Sequence, residues 1–142
     1  MAGEQRHPQW DAIAAVVEAS IGWAATKDVA RLYDALVRDE RLFLFHPDED
    51  STIIGFAAFQ AMAERVFLDP AFQATGHAIR ELRIQVDSTS TVAWFSARLD
   101  DHGTWNGAPC GWENARWTGV LLYQPAGWRI VQMHFSLSTP AA

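Results

Sequence analysis

Residues 113–137 read ENARWTGVLLYQPAGWRIVQMHFSL. Two runs rich in apolar, β-branched and aromatic residues, Glu113 to Tyr123 and Trp128 to Leu137, flank Gln124-Pro-Ala-Gly127, which has the composition of a turn. The stretch therefore predicts two long strands joined as a hairpin. Working backwards, Thr91 to Leu99 and Ile79 to Val86 share the same two-residue period. Asp87-Ser-Thr-Ser90 and Asp100-Asp-His-Gly103 separate them from their neighbours. A four-strand antiparallel meander is predicted, with Asp100 to Gly111 as its longest connecting loop.

Upstream of Pro70 the period lengthens to that of a helix. Trp10, Ile13, Ala14, Val17 and Ile21 mark one face of a first helix running to about Ala25. Val29, Leu32, Tyr33 and Leu36 mark a second, capped by Thr26 and ending near Arg38. Arg41 to His46 is a short apolar run closed by Pro47, which predicts a strand, and Phe56 to Phe67 forms a third helix stopped by Asp69-Pro70. Helices first, then a meander, define an α+β protein: three N-terminal helices packed against a strongly curved, mainly antiparallel sheet. Such a sheet leaves a cavity between itself and the helices. The expected organisation is a loose tail over 1–9, one domain over 10–138 and a short tail over 139–142.

Composition excludes several classes. The chain has 142 residues, 49% of them hydrophobic, enough for a sizeable core without staples. A net charge of −6 gives no support to a nucleic-acid or anionic-membrane binder, so neither partner is expected. The lone Cys110 and the lack of a leader pattern before Trp10 point to a cytoplasmic address, and the ten Arg among eleven basic residues point to a bacterial source. No apolar run is long enough to span a bilayer. The five His are dispersed and no metal or cofactor motif occurs, so no metal and no cofactor are expected. Asp48 and Asp50 begin like a calcium loop, but the pattern breaks at Thr52 and Ile53, leaving a solvated turn.

Strand parity supplies the candidate site. On the last strand Trp128, Ile130, Gln132, His134 and Ser136 form one alternating set. With Arg116 and Thr118 from the preceding strand they would make a polar floor in an apolar concavity. Buried polar groups in a row need partners or a ligand. His46, at the end of the first strand, is a second proton-transfer candidate, and Trp94 and Trp128 are candidates to stack on a flat ligand. Each has a plain alternative: His134 as a satisfied core residue, Arg116 paired with Glu113 or Glu81, His46 facing solvent, and the Trp side chains filling the cone.

The order of elements, with Ala115-Arg-Trp-Thr-Gly-Val-Leu121, Gly127-Trp-Arg-Ile-Val-Gln-Met-His-Phe-Ser136 and the segment from Phe43 to Gly55, resembles the SnoaL-like family. That family lies in the nuclear transport factor 2-like superfamily, which includes steroid isomerases and polyketide cyclases. The resemblance implies a cystatin-like, cone-shaped barrel, a pocket lined by the late strands and a homodimer packed through the sheet. In the isomerases a carboxylate base precedes a Pro at the end of the first strand; here His46 precedes Pro47. Their Tyr donor falls near Ser20, and no Asp stands between Val92 and Leu99 or between Glu113 and Leu137, so the isomerase donor set is incomplete. Two functions follow as expectations. One is a pocket for a small hydrophobic, cyclic or aromatic molecule, in which His46, His134 and Arg116 carry isomerase- or cyclase-type proton transfer. The other is a non-catalytic dimerisation or interaction module with a structural pocket.

Overall fold

The computed structural model describes residues 6–139, and most of both expected tails lies outside that range. Helix α1 spans Trp10–Gly22 and runs into a 3-10 turn at Trp23–Ala25. Helix α2 is Val29–Asp34, and α3 is Phe56–Met62 continued by a π-helical turn at Ala63–Phe67. The strands are β1 Phe43–Phe45, β2 Ile53–Ile54, β3 Phe72–Val86, β4 Val92–Trp105, β5 Ala108–Gln124 and β6 Gly127–Ser136. They form one curved, open sheet in the order β2-β1-β6-β5-β4-β3, antiparallel throughout except where β1 runs parallel to β6.

Local chemistry explains where elements begin and end. Helix α2 starts two residues later than Thr26 suggests, because Asp28 takes the cap and accepts the Arg31 N–H at 3.2 Å. It also stops short of Arg38. Past Asp34 the backbone is claimed by β6: Ile130 N–H donates to the Ala35 carbonyl at 2.8 Å and Val37 N–H to the Ile130 carbonyl at 2.9 Å.

The larger correction concerns the predicted loop from Asp100 to Gly111. It is a hairpin tip: β4 continues to Trp105, pairs with Ala108, and turns through Asn106 and Gly107 at φ 49° and 83°. Two positive φ angles define a type I′ turn, which Asn-Gly adopts at little steric cost. The dipeptide is the signal, and the polar, glycine-rich flanks mask it from a reading based on apolar alternation.

The core lies on the concave face. Phe95 and Leu99 of β4, Trp117 and Leu121 of β5, and Ile130, Met133 and Phe135 of β6 pack against Ile13 and Val17 of α1, Leu32 of α2 and Phe59 of α3. Register pairs Val120 with Gln132 but Leu121 with Ile130, so Val131 is an extra residue in β6. This bulge shifts the two-residue alternation, and Trp128, Ile130, Met133 and Phe135 all face inward. Residues next to α1 are also held: Trp128 Nε1–H donates to Gln9 Oε1 at 3.2 Å, and His7 Nε2 lies 3.3 Å from Ser90 Oγ. Among the described residues no helix is long and apolar enough to cross a membrane.

Packing is tight where sheet strands approach. A Cβ added at Gly119 would lie 2.5 Å from Phe95 Cε1 and 2.8 Å from the Gln132 carbonyl oxygen. Gly119→Ala is therefore expected to destabilise the fold by about 1 to 3 kcal/mol, the usual cost of forcing an extra carbon into a filled core. Urea unfolding followed by tryptophan fluorescence measures this; an unchanged midpoint would show that Phe95 has room to move.

Candidate functional site

His46 continues the inward parity of Leu44 just beyond β1. Its ring stacks on Phe135 at 5.3 Å and an interplanar angle of 2°, with Trp112 5.9 Å away. Nδ1 lies 3.0 Å from the Ser51 carbonyl oxygen. A carbonyl only accepts, so Nδ1 carries the hydrogen and Nε2 of the neutral ring bears the free lone pair. The polar turn read from the sequence as solvated thus has a task, since its Ser51 carbonyl sets the tautomer of His46. Burial pushes the His46 pKa below its ordinary value, against smaller opposing effects of the Ser51 carbonyl and Asp48. The ring favours the neutral, basic form.

Asp101 stands on β4 two residues beyond Leu99, on the same inward face, paired in register with His77 of β3 and Trp112 of β5. Burial raises its pKa above the ordinary carboxylate value. The charges of His77 and His102 pull it down less, and no hydrogen bond offsets the burial. The sequence reading ended this strand at Leu99, so it missed the residue; the Asn106-Gly107 turn was the signal that would have extended the strand past it.

These two side chains border two adjoining spaces. The outer one is a cavity of about 810 Å³ between the β4–β5 hairpin tip, the turn after His46 and the end of α3. Val66, Phe67, Phe72, Trp105 and Trp112 wall it, and Asp48, Asp50, Thr52, Arg65 and His102 bring polar groups to it. The inner one is a chamber of about 60 Å³ reached by Ser20, Ala24, Leu44, Phe59 and Met133. His46, Phe67, Phe72, Asp101 and Trp112 line both. Ser20 Oγ–H is engaged by the Val17 carbonyl at 2.7 Å. Cys110 is exposed at the cavity, its thiol pushed up by burial and by the Asp101 charge, so thiolate chemistry is disfavoured. Among the described residues no group of three potential ligands stands together to hold a metal ion.

The polar floor predicted from parity exists, on the other side of the sheet. Arg116 pairs with Ser136, Thr118 with His134 and Val120 with Gln132, which brings the set together. Arg116, Thr118, Gln132 and His134 are exposed on the convex face, and Ser136 is half-buried there. The prediction carried a two-residue period from Trp128 to His134 straight through Val131, where the bulge reverses it. Trp128 is buried beside Tyr123 at the opposite end of the sheet's inner face, and Trp94 is 47% exposed on the outer face. Neither lines the cavity. Arg116 takes neither carboxylate considered for it: Glu81 lies 3.7 Å from Arg98, and Glu113 lies 3.9 Å from His102. Of the predicted site residues, His46 alone borders the cavity.

A curved sheet closed by three helices around a cavity bordered by His46 and Asp101 places the chain among the cone-shaped α+β proteins. The SnoaL-like domain matches residues 13–140, and the chain belongs to that family. Among solved structures it is similar to an NTF2-like protein from Cytophaga hutchinsonii, at 14% identity over 93% of this chain and 100% of the other, TM-score 0.72. An NTF2-like protein with a cystatin-like fold from Novosphingobium aromaticivorans matches at 17% identity, over 94% and 84%, TM-score 0.70. A protein from the same organism, provisionally described as an aromatic ring hydroxylase, matches at 15% identity, over 95% and 94%, TM-score 0.75. At these identities the likeness concerns the fold. No curated protein matches the chain.

The two shifted groups predict opposite dependences of stability on pH. The folded state holds His46 below the ordinary value of about 6.5, so the unfolded chain binds the extra proton and stability falls as pH drops through that region. Asp101 lies above its ordinary value of about 3.9, so the folded chain keeps the extra proton and stability falls as pH rises past it. In urea titrations His46→Phe should gain on the wild type as the pH is lowered, and Asp101→Asn as it is raised. Parallel curves for all three proteins would remove both burial effects.

Proposed function

We propose that the cavity binds a small, flat, mainly apolar molecule carrying a carbonyl or hydroxyl group, and that His46 and Asp101 move a proton on it. The observation that carries this reading is the pair itself. His46 and Asp101 both border the outer cavity and the inner chamber, and burial drives each toward its uncharged form. A neutral imidazole with a free Nε2 lone pair accepts a proton from carbon or oxygen. A protonated carboxyl donates a hydrogen bond to the oxygen on which negative charge then develops. The arrangement parallels the one that the resemblance to steroid isomerases implies, with His46 in place of the carboxylate base and Asp101 as an acid on a late strand. No cofactor is needed for such a step.

The walls set the shape of the molecule. Phe72, Trp105 and Trp112 offer flat surfaces in the outer cavity. The inner chamber, at about 60 Å³, has room for about two waters, so only a small substituent enters it. A compact group adjacent to the reacting polar atom, on a flat body that remains outside, fits both spaces. The provisional description of one fold relative as an aromatic ring hydroxylase agrees with a flat ligand.

2-Acetylnaphthalene is a direct probe. It should quench tryptophan fluorescence, raise the melting temperature, and exchange its methyl protons for deuterium faster with the protein than without it. His46→Ala should slow that exchange about 10²- to 10⁴-fold, the usual contribution of a general base, and Asp101→Leu about 10²-fold or more. If a panel of planar ketones, phenols and acids leaves fluorescence and melting temperature unmoved, the cavity is structural and the reading fails.

The convex face favours a second role alongside the first. Phe45 and Trp94 are 44% and 47% exposed there, next to Gln132 and His134. We infer a homodimer packed through this face, as the family resemblance implies, with the polar row predicted as a pocket floor serving the interface. Trp94→Glu is expected to convert the dimer to monomer in light scattering; a wild-type monomer at all concentrations would overturn the assignment.

A further inference from the structure

Glu18 of α1 is placed with unusual care for a surface carboxylate. Its Oε2 lies 3.1 Å from His77 Nε2 on β3, and its Oε1 lies 3.7 Å from Arg31 Nη2 on α2. The Glu18 carboxylate occupies space left by Gly22, one turn further along α1, where a Cβ would lie 2.1 Å from Glu18 Oε1. Three elements thus meet at one carboxylate. On the sheet, Ile79 pairs with the inward Leu99, and two residues on His77 pairs with Asp101, which puts both side chains on the concave face as direct cross-strand neighbours.

We propose that His77 is the positioning residue for Asp101: clamped by Glu18, it presents its imidazole beside the cavity carboxyl and sets whether that carboxyl donates or accepts a hydrogen bond toward a bound molecule. The inference rests on the reading of the cavity given above. The groups facing the pair are few. Asp101 has His77 across β3, His102 next to it on β4 and Cys110 on β5; His77 has Glu18 in front, with Arg31 behind. Lys27, the nearest cation on the α1–α2 connection, is committed to the Asp69 carbonyl at 2.9 Å. Burial favours the protonated form of Asp101, and the two histidines are the charges that oppose it. Of these His77 has a carboxylate in hydrogen-bond contact, whereas His102 faces Glu113 only at 3.9 Å. A carboxylate only accepts, so His77 Nε2 carries its hydrogen toward Glu18 and the ring is fixed in place.

Carboxyl ¹³C NMR of the full chain with labelled aspartate, the Asp101 signal assigned by its loss in Asp101→Asn, reads this directly and needs no ligand. His77→Gln should move the Asp101 titration midpoint upward. Glu18→Gln should move it in the same direction by less, and His77→Lys should bring it back down by restoring a charge without the ring. A purely structural role for the Glu18–His77 pair would lower the melting temperature in these variants and leave the Asp101 midpoint where it is. That result overturns the assignment. Should His77→Gln fail to fold, Glu18→Gln and His77→Lys carry the same comparison. An empty ligand panel sinks the reading of the cavity, whereas a stationary midpoint sinks only the role of His77.

Discussion

A single extra residue in β6 decides which side of the sheet is the inside. With Val131 bulged out, Trp128 and Ile130 before it and Met133 and Phe135 after it all turn toward the helices. Without it, strict alternation would send either the first pair or the second to solvent. The inward Phe135 then carries a column of rings. Trp117, fully buried, stacks on it at 5.6 Å and 12°, Phe95 meets Trp117 edge-on at 4.9 Å, and His46 stacks on it at 5.3 Å. The same bulge that completes the core therefore supplies the surface on which the candidate base rests. Truncating an aromatic side chain at such a position typically costs about 3 to 5 kcal/mol, and core and site share this one.

Polarity in the cavity follows from this packing. A ring lying flat against Phe135 and near Trp112 has little water with which to solvate a charge, and its one fixed hydrogen bond, to the Ser51 carbonyl, leaves Nε2 unused. Asp101 sits in similar surroundings with no fixed bond at all. Side chains that are costly to ionise and incompletely hydrogen-bonded contribute little to stability. The needs of the fold therefore account poorly for them, and that is why the proposed proton transfer is assigned to this pair.

How much of this was legible in the sequence depended on whether the signal was local. The helical stripe from Trp10 to Ile21 and the alternating strands are local, and α1, β1, α3 and the inner parts of the meander strands lie where periodicity puts them, while β3 starts earlier, at Phe72, and β4 and β5 run on past Leu99 and Glu113. His46 was found because its place at a strand end before Pro47 is also local. The face assignment of Arg116, Thr118, Gln132, His134 and Ser136 failed for a different reason. Parity is a long-range count, and one bulged residue inverts everything beyond it. No composition marks Val131, since valine suits a regular strand as well as a bulge. Asp101 was lost to an assumption about where β4 ends; there a local signal existed in Asn106-Gly107, but the polar flanks outweighed it. β2, two residues long, carries too few positions to show any period.

The extension of β4 and β5 past the core builds the Asp101 side of the cavity. The meander core is complete by Leu99 on β4 and Ala115 on β5, both fully buried. Beyond them the hairpin buries little: residues 105–111 are all exposed. Its course is nonetheless closely specified. Register shifts between Leu99 and Asp101, with Asn114 at φ 51° in the bulge. Asp100 accepts the Asn114 N–H at 2.7 Å and pairs with Arg80, whose second nitrogen donates to Asn114 Oδ1 at 3.1 Å. These contacts hold the Asp100 carboxyl below the usual carboxylate range. A bulge re-aims the strand that follows it, and what this one aims is the segment bearing Asp101, Gly103, Trp105 and Trp112 over the cavity mouth. Exposed polar contacts of this kind add little to global stability. Their consequence is the position of the cavity wall, which places the Asp101 side of the candidate site under a different set of residues from the core ring column that supports His46.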